Sequence, residues 1–254
     1  MAVWKSKVRF IGAGAIGIAA IWTLITLIKP IIEGMKISVK SMNSSSAERE
    51  LHRMDTDMST KSVLGVFILI LIGLVFTFWD FVSVVPISAG LMWTLVVVGI
   101  VVALLIGFFV AAACGYMAGL IGTSASPISG IGILATIISS LVVYFIAAEN
   151  NLFATQEGVQ FATAMAIFMT SVVIAIASIS NDNLQDLKTG QLVGATPWRQ
   201  QIALLLGSVA GAIAIAPVLN LLYQAYGFTG ALPRAEMDPN AALSAPQATL
   251  MTTI

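Results

Sequence analysis

Apolar runs of membrane-span length alternate with short polar interruptions along the chain. Six runs stand out, at about Phe10–Ile28, Ser62–Phe81, Ala89–Cys114, Gly130–Ala147, Val159–Ile179 and Ile202–Leu222. Each approaches the roughly 20 residues a helix needs to cross a hydrocarbon core. Nothing alternates with period two over the length of a barrel strand. In lipid every backbone N–H and C=O must be paired internally, so each run is expected to be a helix. The predicted fold is all-α: a polytopic helical bundle, integral to the membrane, with one transmembrane domain over 1–254.

The interruptions carry the chemistry. The most polar is Ser180–Gln200, reading SNDNLQDLKTGQLVGATPWRQ, pinned between two runs without a charge. It supplies Asp182, Asn183, Gln185, Asp186, Lys188 and Thr189. If it is helical, Asp182 and Asp186 share a face, four residues apart, and Lys188 does not share it. A solvated cytoplasmic loop is the plain alternative. Gly115–Ile133 reads GYMAGLIGTSASPISGIGI, with five glycines and Pro127. Pro127 lacks an N–H and clashes with a preceding helical turn. A helix broken or re-entrant over 115–133 is expected, with a short water-exposed turn as the alternative. Non-helical backbone at membrane depth survives only against protein or a wet cavity. Asp80 closes the second run beside Trp79. A carboxylate there is a functional candidate by default, unless it simply reaches interfacial water.

Charge bias orients the set, because cytoplasmic loops are rich in Lys and Arg. The polar loop 33–61, with Lys29 just before it, carries Lys36, Lys40, Arg49, Arg53 and Lys61. It is placed in the cytoplasm. The polar segment 181–200, with Lys188 and Arg199, returns to that side. Lys5, Lys7 and Arg9 precede the first run, so both of its ends read as cytoplasmic, and its orientation stays open.

Composition adds exclusions. The chain is 58% hydrophobic and 9% charged, against roughly 25% charged in soluble domains. Formal net charge is zero and no basic patch stands out, so nucleic acid is not an expected partner. One cysteine, Cys114, excludes an intrachain disulfide, and one histidine, His52, lies in a charged loop. Neither a metal site nor a cofactor is indicated.

Two motifs have duller explanations. Gly12, Gly14 and Gly17 fit G-x-G-x-x-G, but a dinucleotide site needs a strand before the glycines and a second strand in a βαβ unit. Here they open an apolar run, where small residues let helices approach. Gly115/Gly119 and Gly207/Gly211 take the same packing interpretation. An intramembrane hydrolase would need a Ser–His pair or two facing Asp. His52 lies in a loop, and Asp80 and Asp182 fall at opposite faces of the membrane. No enzyme is expected.

Three blocks carry a family resemblance: FIGAGAIGIAAIWTLITLIKPI at Phe10–Ile31, GLIGTSASPISGIGI at Gly119–Ile133 and NDNLQDLKTGQLVGATPWRQQ at Asn181–Gln201. Together they resemble the oligopeptide transporter (OPT) superfamily, particularly its bacterial branch related to the yellow-stripe-like transporters. The resemblance implies a proton-coupled secondary transporter of oligopeptides or metal chelates, in a bacterial inner membrane. It also implies a fragment, since family members are well over twice this length. The expected partners are a peptide or small-molecule solute, protons, the lipid bilayer, and the remainder of the transporter or a homo-oligomer. The solute would be held at Gly122, Thr123, Ser124, Ser126, Pro127, Ser129 and Gly130. Asp182 and Asp186 would couple protons or gate, with Asn183 and Gln185 beside them, Lys188 as counter-charge and Asp80 in reserve. The competing expectation is a non-transporting scaffold or a split-transporter half that needs a partner chain.

Overall fold

The computed structural model describes residues 8–43, 53–239 and 241–245, with positions 248 and 251. His52, Arg49, Lys5 and Lys7 lie outside the described residues. Six long helices form the bundle: α1 (Arg9–Asn43), α2 (Thr60–Ser83), α3 (Ala89–Leu120), α4 (Ile128–Glu149), α5 (Gln156–Val193) and α6 (Pro197–Tyr226). Each contains a stretch long and apolar enough to cross a membrane. Among the described residues β structure is limited to isolated bridges of Phe228 with Ala231 and Leu243. The chain is an all-α polytopic membrane protein.

Local chemistry sets the helix starts. The hydroxyls of Ser59, Ser88 and Thr155 accept from the N–H groups of Ser62, Leu91 and Gly158. Each occupies a donor that the first helical turn cannot pair. Pro197 opens α6, where its missing N–H costs nothing. Gly194 ends α5 in the left-handed region, φ 74°, a conformation that glycine tolerates best.

Two helices run well beyond their apolar stretches. α1 passes through Pro30 and continues to Asn43, so it takes the first part of the 33–61 segment expected as loop. Pro30 has no N–H for the carbonyl one turn earlier, yet the helix continues. α5 is 38 residues long, or about 57 Å at 1.5 Å per residue. A hydrocarbon core is about 30 Å thick, so the polar segment is not a loop. Its residues up to Val193 are the last three turns and more of α5, a short turn follows, and Pro197–Gln200 opens α6.

The core forms around α3, α4 and α5, in two stacked clusters. One joins the end of α2, the start of α3, the end of α4 and the start of α5, through Phe78, Val82, Leu95, Ala147, Phe161 and Met165. Phe168 stacks on Phe81 at 4.4 Å and meets Phe78 edge-on at 5.0 Å. The other joins the end of α3, the start of α4 and the later part of α5, through Val110, Cys114, Ile131, Ala135, Val173 and Ala177. Successive helices α2 to α5 therefore alternate in direction. Trp79, Trp93 and Tyr144 are exposed at the first of these ends, the pattern of an interfacial aromatic belt.

Glycines set how close the helices come. A Cβ on Gly99 would lie 2.4 Å from the Phe78 ring, and one on Gly107 would lie 2.7 Å from Ile176. Gly115 packs on Ser180 and Leu184 in the same way. The packing interpretation therefore holds for Gly115. Gly119, Gly207, Gly211, Gly12 and Gly14 face open space, and Gly17 makes one ordinary contact with Ile133.

Candidate functional site

The break between α3 and α4 comes from its backbone. α3 ends at Leu120, Gly122 takes φ 113°, a 3-10 turn covers Thr123–Ala125, and Pro127 precedes α4. The positive φ suits glycine and strains any side chain. The interruption thus falls between two helices that are each long and apolar enough to cross a membrane. α4 has 22 residues, about 33 Å of helix.

Two polar groups of the connector find partners on α5. Gln185 Oε1 accepts from the Thr123 N–H at 3.0 Å. Ser126 Oγ donates to Asn181 Oδ1 and lies 3.2 Å from the Cys114 carbonyl. A hydroxyl has one proton, so it serves one of these acceptors at a time. Asn181 is 3% exposed. The preceding residue, Ser180, donates from its Oγ to the Ala111 carbonyl at 2.7 Å. Asn181 and Gln185, four residues apart, grip the connector with one helical face.

A different face of the same turns carries the carboxylates. Asp182, Asp186, Thr189 and Gly190 on α5 face Gln200, Leu204 and Ser208 on α6 across a groove of about 640 Å³. Asp182 and Asp186 share this face, as their spacing implied. Lys188 lines another groove, of about 280 Å³, with Asp57, Leu184, Leu187 and Pro197. Its ammonium donates to Gln191 Oε1 at 3.0 Å. It does not sit beside the two carboxylates.

The residues expected to hold solute separate in the structure. Thr123 and Ser126 turn to α5. Gly122 and Pro127 are half-buried, and Ser124 and Ser129 are exposed. Gly130 is buried against α1, where a Cβ would meet Ala20 at 2.8 Å and the Ile16 carbonyl at 3.1 Å. Asn183 is half-buried. Asp80 is exposed in the last turn of α2, and its backbone carbonyl accepts from the Ser83 hydroxyl at 2.8 Å. That places it at the aromatic end of the bundle, away from the polar turns of α5. Sequence reasoning missed Asn181, although its spacing to Gln185 repeats that of the two aspartates. It also missed Gln200, which packs on Gly190 ten residues earlier, and Asp57, whose neighbours are remote in the chain.

These polar turns and the connector are two of the blocks on which the resemblance rested. A family model described as "OPT oligopeptide transporter protein" matches residues 1–254. The chain belongs to the OPT family. A Haemophilus influenzae protein named "Putative oligopeptide transporter" is 57% identical over 254 residues, which are all of this chain and 40% of that protein. No solved structure matches the chain. The OPT chain thus spans less than half the length of that relative, and what it exhibits is one bundle, integral to the membrane.

Proposed function

We propose that this chain is part of a proton-coupled secondary transporter that moves oligopeptides across a bacterial inner membrane. The observation that carries the reading is the family match over all of residues 1–254. The name of the Haemophilus influenzae relative favours peptides over metal chelates as the solute.

The site supports a division of labour along α5. Solute passes the α3–α4 connector, where Ser124 is exposed and the connector backbone is irregular. Asp182 and Asp186 exchange protons in the groove between α5 and α6. Neutralising them removes the cost of drawing two carboxylates toward a drier environment, so α6 closes on α5 in the protonated state. Asn181 and Gln185 hold the connector to the same helix, so that movement of α5 reaches it.

Uptake of labelled trialanine by the full-length protein in proteoliposomes, driven by a pH gradient, tests this. Asp182→Asn and Asp186→Asn are each expected to cut gradient-driven uptake at least tenfold while leaving counterflow exchange measurable. Normal driven uptake by both variants sinks the coupling role. A wild-type protein that takes up no peptide sinks the substrate.

A further inference from the structure

Helix α6 buries no residue, so something other than packing along its length must fix its start. Two neighbouring glutamines in its first turns do so, about 100° apart around the helix. Gln200 reaches back to α5 and lies over Gly190, where a Cβ would collide with its amide. It also lines the groove that holds Asp182 and Asp186. Gln201 reaches instead to the segment before α2. Its Oε1 accepts from the Met58 N–H at 3.3 Å, and its Nε2 donates to Asp57 Oδ1 at 3.4 Å. The Trp198 N–H donates to the Thr56 carbonyl at 3.3 Å. An N–H in the first turn of a helix has no partner within that helix, so Thr56 satisfies a donor that α6 cannot. Arg53 lies at the far end of the same segment. Its Nη2 is 3.5 Å from where a Cβ on Gly194 would stand, beside the C-terminus of α5, the helix end that favours a cation. The 53–59 segment therefore clasps the turn between α5 and α6, and its last residue, Ser59, is the N-cap of α2.

We propose that this segment is a latch, centred on Gln201, that holds the start of α6 where the α5–α6 groove is open. It rests on the reading in which α6 closes on α5, and adds what opposes that closure. Gln200 and Gln201 occupy adjacent positions of one helical turn. A movement of that turn toward Asp182 and Asp186 carries Gln201 with it. The segment is tied to α2, so the bonds to Asp57 and Met58 must break. A latch released in every cycle has to be weak. Bonds of 3.3 and 3.4 Å are longer than the usual N–H···O distance of about 2.9 Å. No residue of 53–59 is buried, so release uncovers no core. Met58 and Gln201 are 143 positions apart, and through them the groove answers to the position of α2.

The test reads access to the groove in the full-length protein, in detergent at one pH. Ser208 lines the groove, and modification of Ser208→Cys by N-ethylmaleimide is timed against the same protein without the added cysteine. Gln201→Ala releases the latch, so the closed form gains population. It should slow modification about fivefold, the effect of one net hydrogen bond. Asp57 is exposed, so Asp57→Ala leaves the core intact. It should slow modification less, because Gln201 keeps its bond to Met58. Arg199→Ala alters the same turn of α6 without touching the latch and should leave the rate unchanged. The proposal is overturned if Gln201→Ala and Asp57→Ala leave the rate unchanged or raise it, or if Arg199→Ala slows it as much. The measurement involves neither solute nor gradient, so failure of the transport reading looks different. A protein that takes up no peptide but whose groove closes in Gln201→Ala keeps the latch and loses the transport role.

Discussion

Helices α3 and α6 are similar in length and uncharged apart from Arg199 at the start of α6, yet their surroundings differ completely. α3 buries a stripe from Leu91 to Ala118, whereas α6 buries no residue. Both carry glycines at helix-packing spacing. Those of α3 at 99, 107 and 115 meet Phe78, Ile176 and Ser180, while Gly207 and Gly211 of α6 meet nothing. In lipid an apolar surface is not driven inward by water, so apolarity makes a span without assigning it a neighbour. Close packing needs a shape on the other side, and α3 finds it in α2 and α5. α6 touches the bundle through its first turns, around the Asp182–Asp186 groove, and leaves the rest of its apolar surface outward.

That contrast breaks most visibly at a single methyl group. Gly99→Ala puts a Cβ 2.4 Å from a fully buried Phe78 ring. It should cost about 1–3 kcal/mol through overpacking, despite alanine's higher helix propensity. Thermal unfolding of the full-length protein in detergent, followed by tryptophan fluorescence, measures it; an unchanged midpoint shows that the α2–α3 contact gives way easily.

Asn181→Leu is the intermediate case. It removes the partner of Ser126 while the Cys114 carbonyl remains as an alternative acceptor. The expected loss is about 1 kcal/mol, with faster amide exchange confined to 121–127. Exchange that stays slow there means the connector is held by packing alone.

The smallest effect is expected on α6. Gly207→Ala meets no atom within 4 Å, so stability should stay within about 0.5 kcal/mol of wild type. A loss comparable to that of Gly99→Ala reveals a close partner on α6.

Much of the architecture was legible in the chain. Uncharged runs named all six spans, and Gly122 with Pro127 marked the break between α3 and α4, because glycine and proline act through the local backbone. The ends were less legible. α5 continues through Asn181–Val193 and α1 through Pro30 to Asn43, since polar residues propagate a helix as readily as apolar ones once its turns are formed. Within the candidate site, the shared face of Asp182 and Asp186 followed from helical spacing. The grip of Asn181 on Ser126, the burial of Gly130 against α1 and the meeting of Asp57 with Lys188 did not.

By itself the sequence determined that the chain lives in lipid, that it is helical, where its helices cross, and which family it resembles. These follow from composition, period and short blocks, all properties of neighbouring residues. Only the tertiary structure decided which glycines are contacts and which are open. It also decided which face of α5 grips the connector, and that two separated charges line one cavity. Those depend on how rods of fixed shape fit side by side, and that fit joins residues tens of positions or more apart.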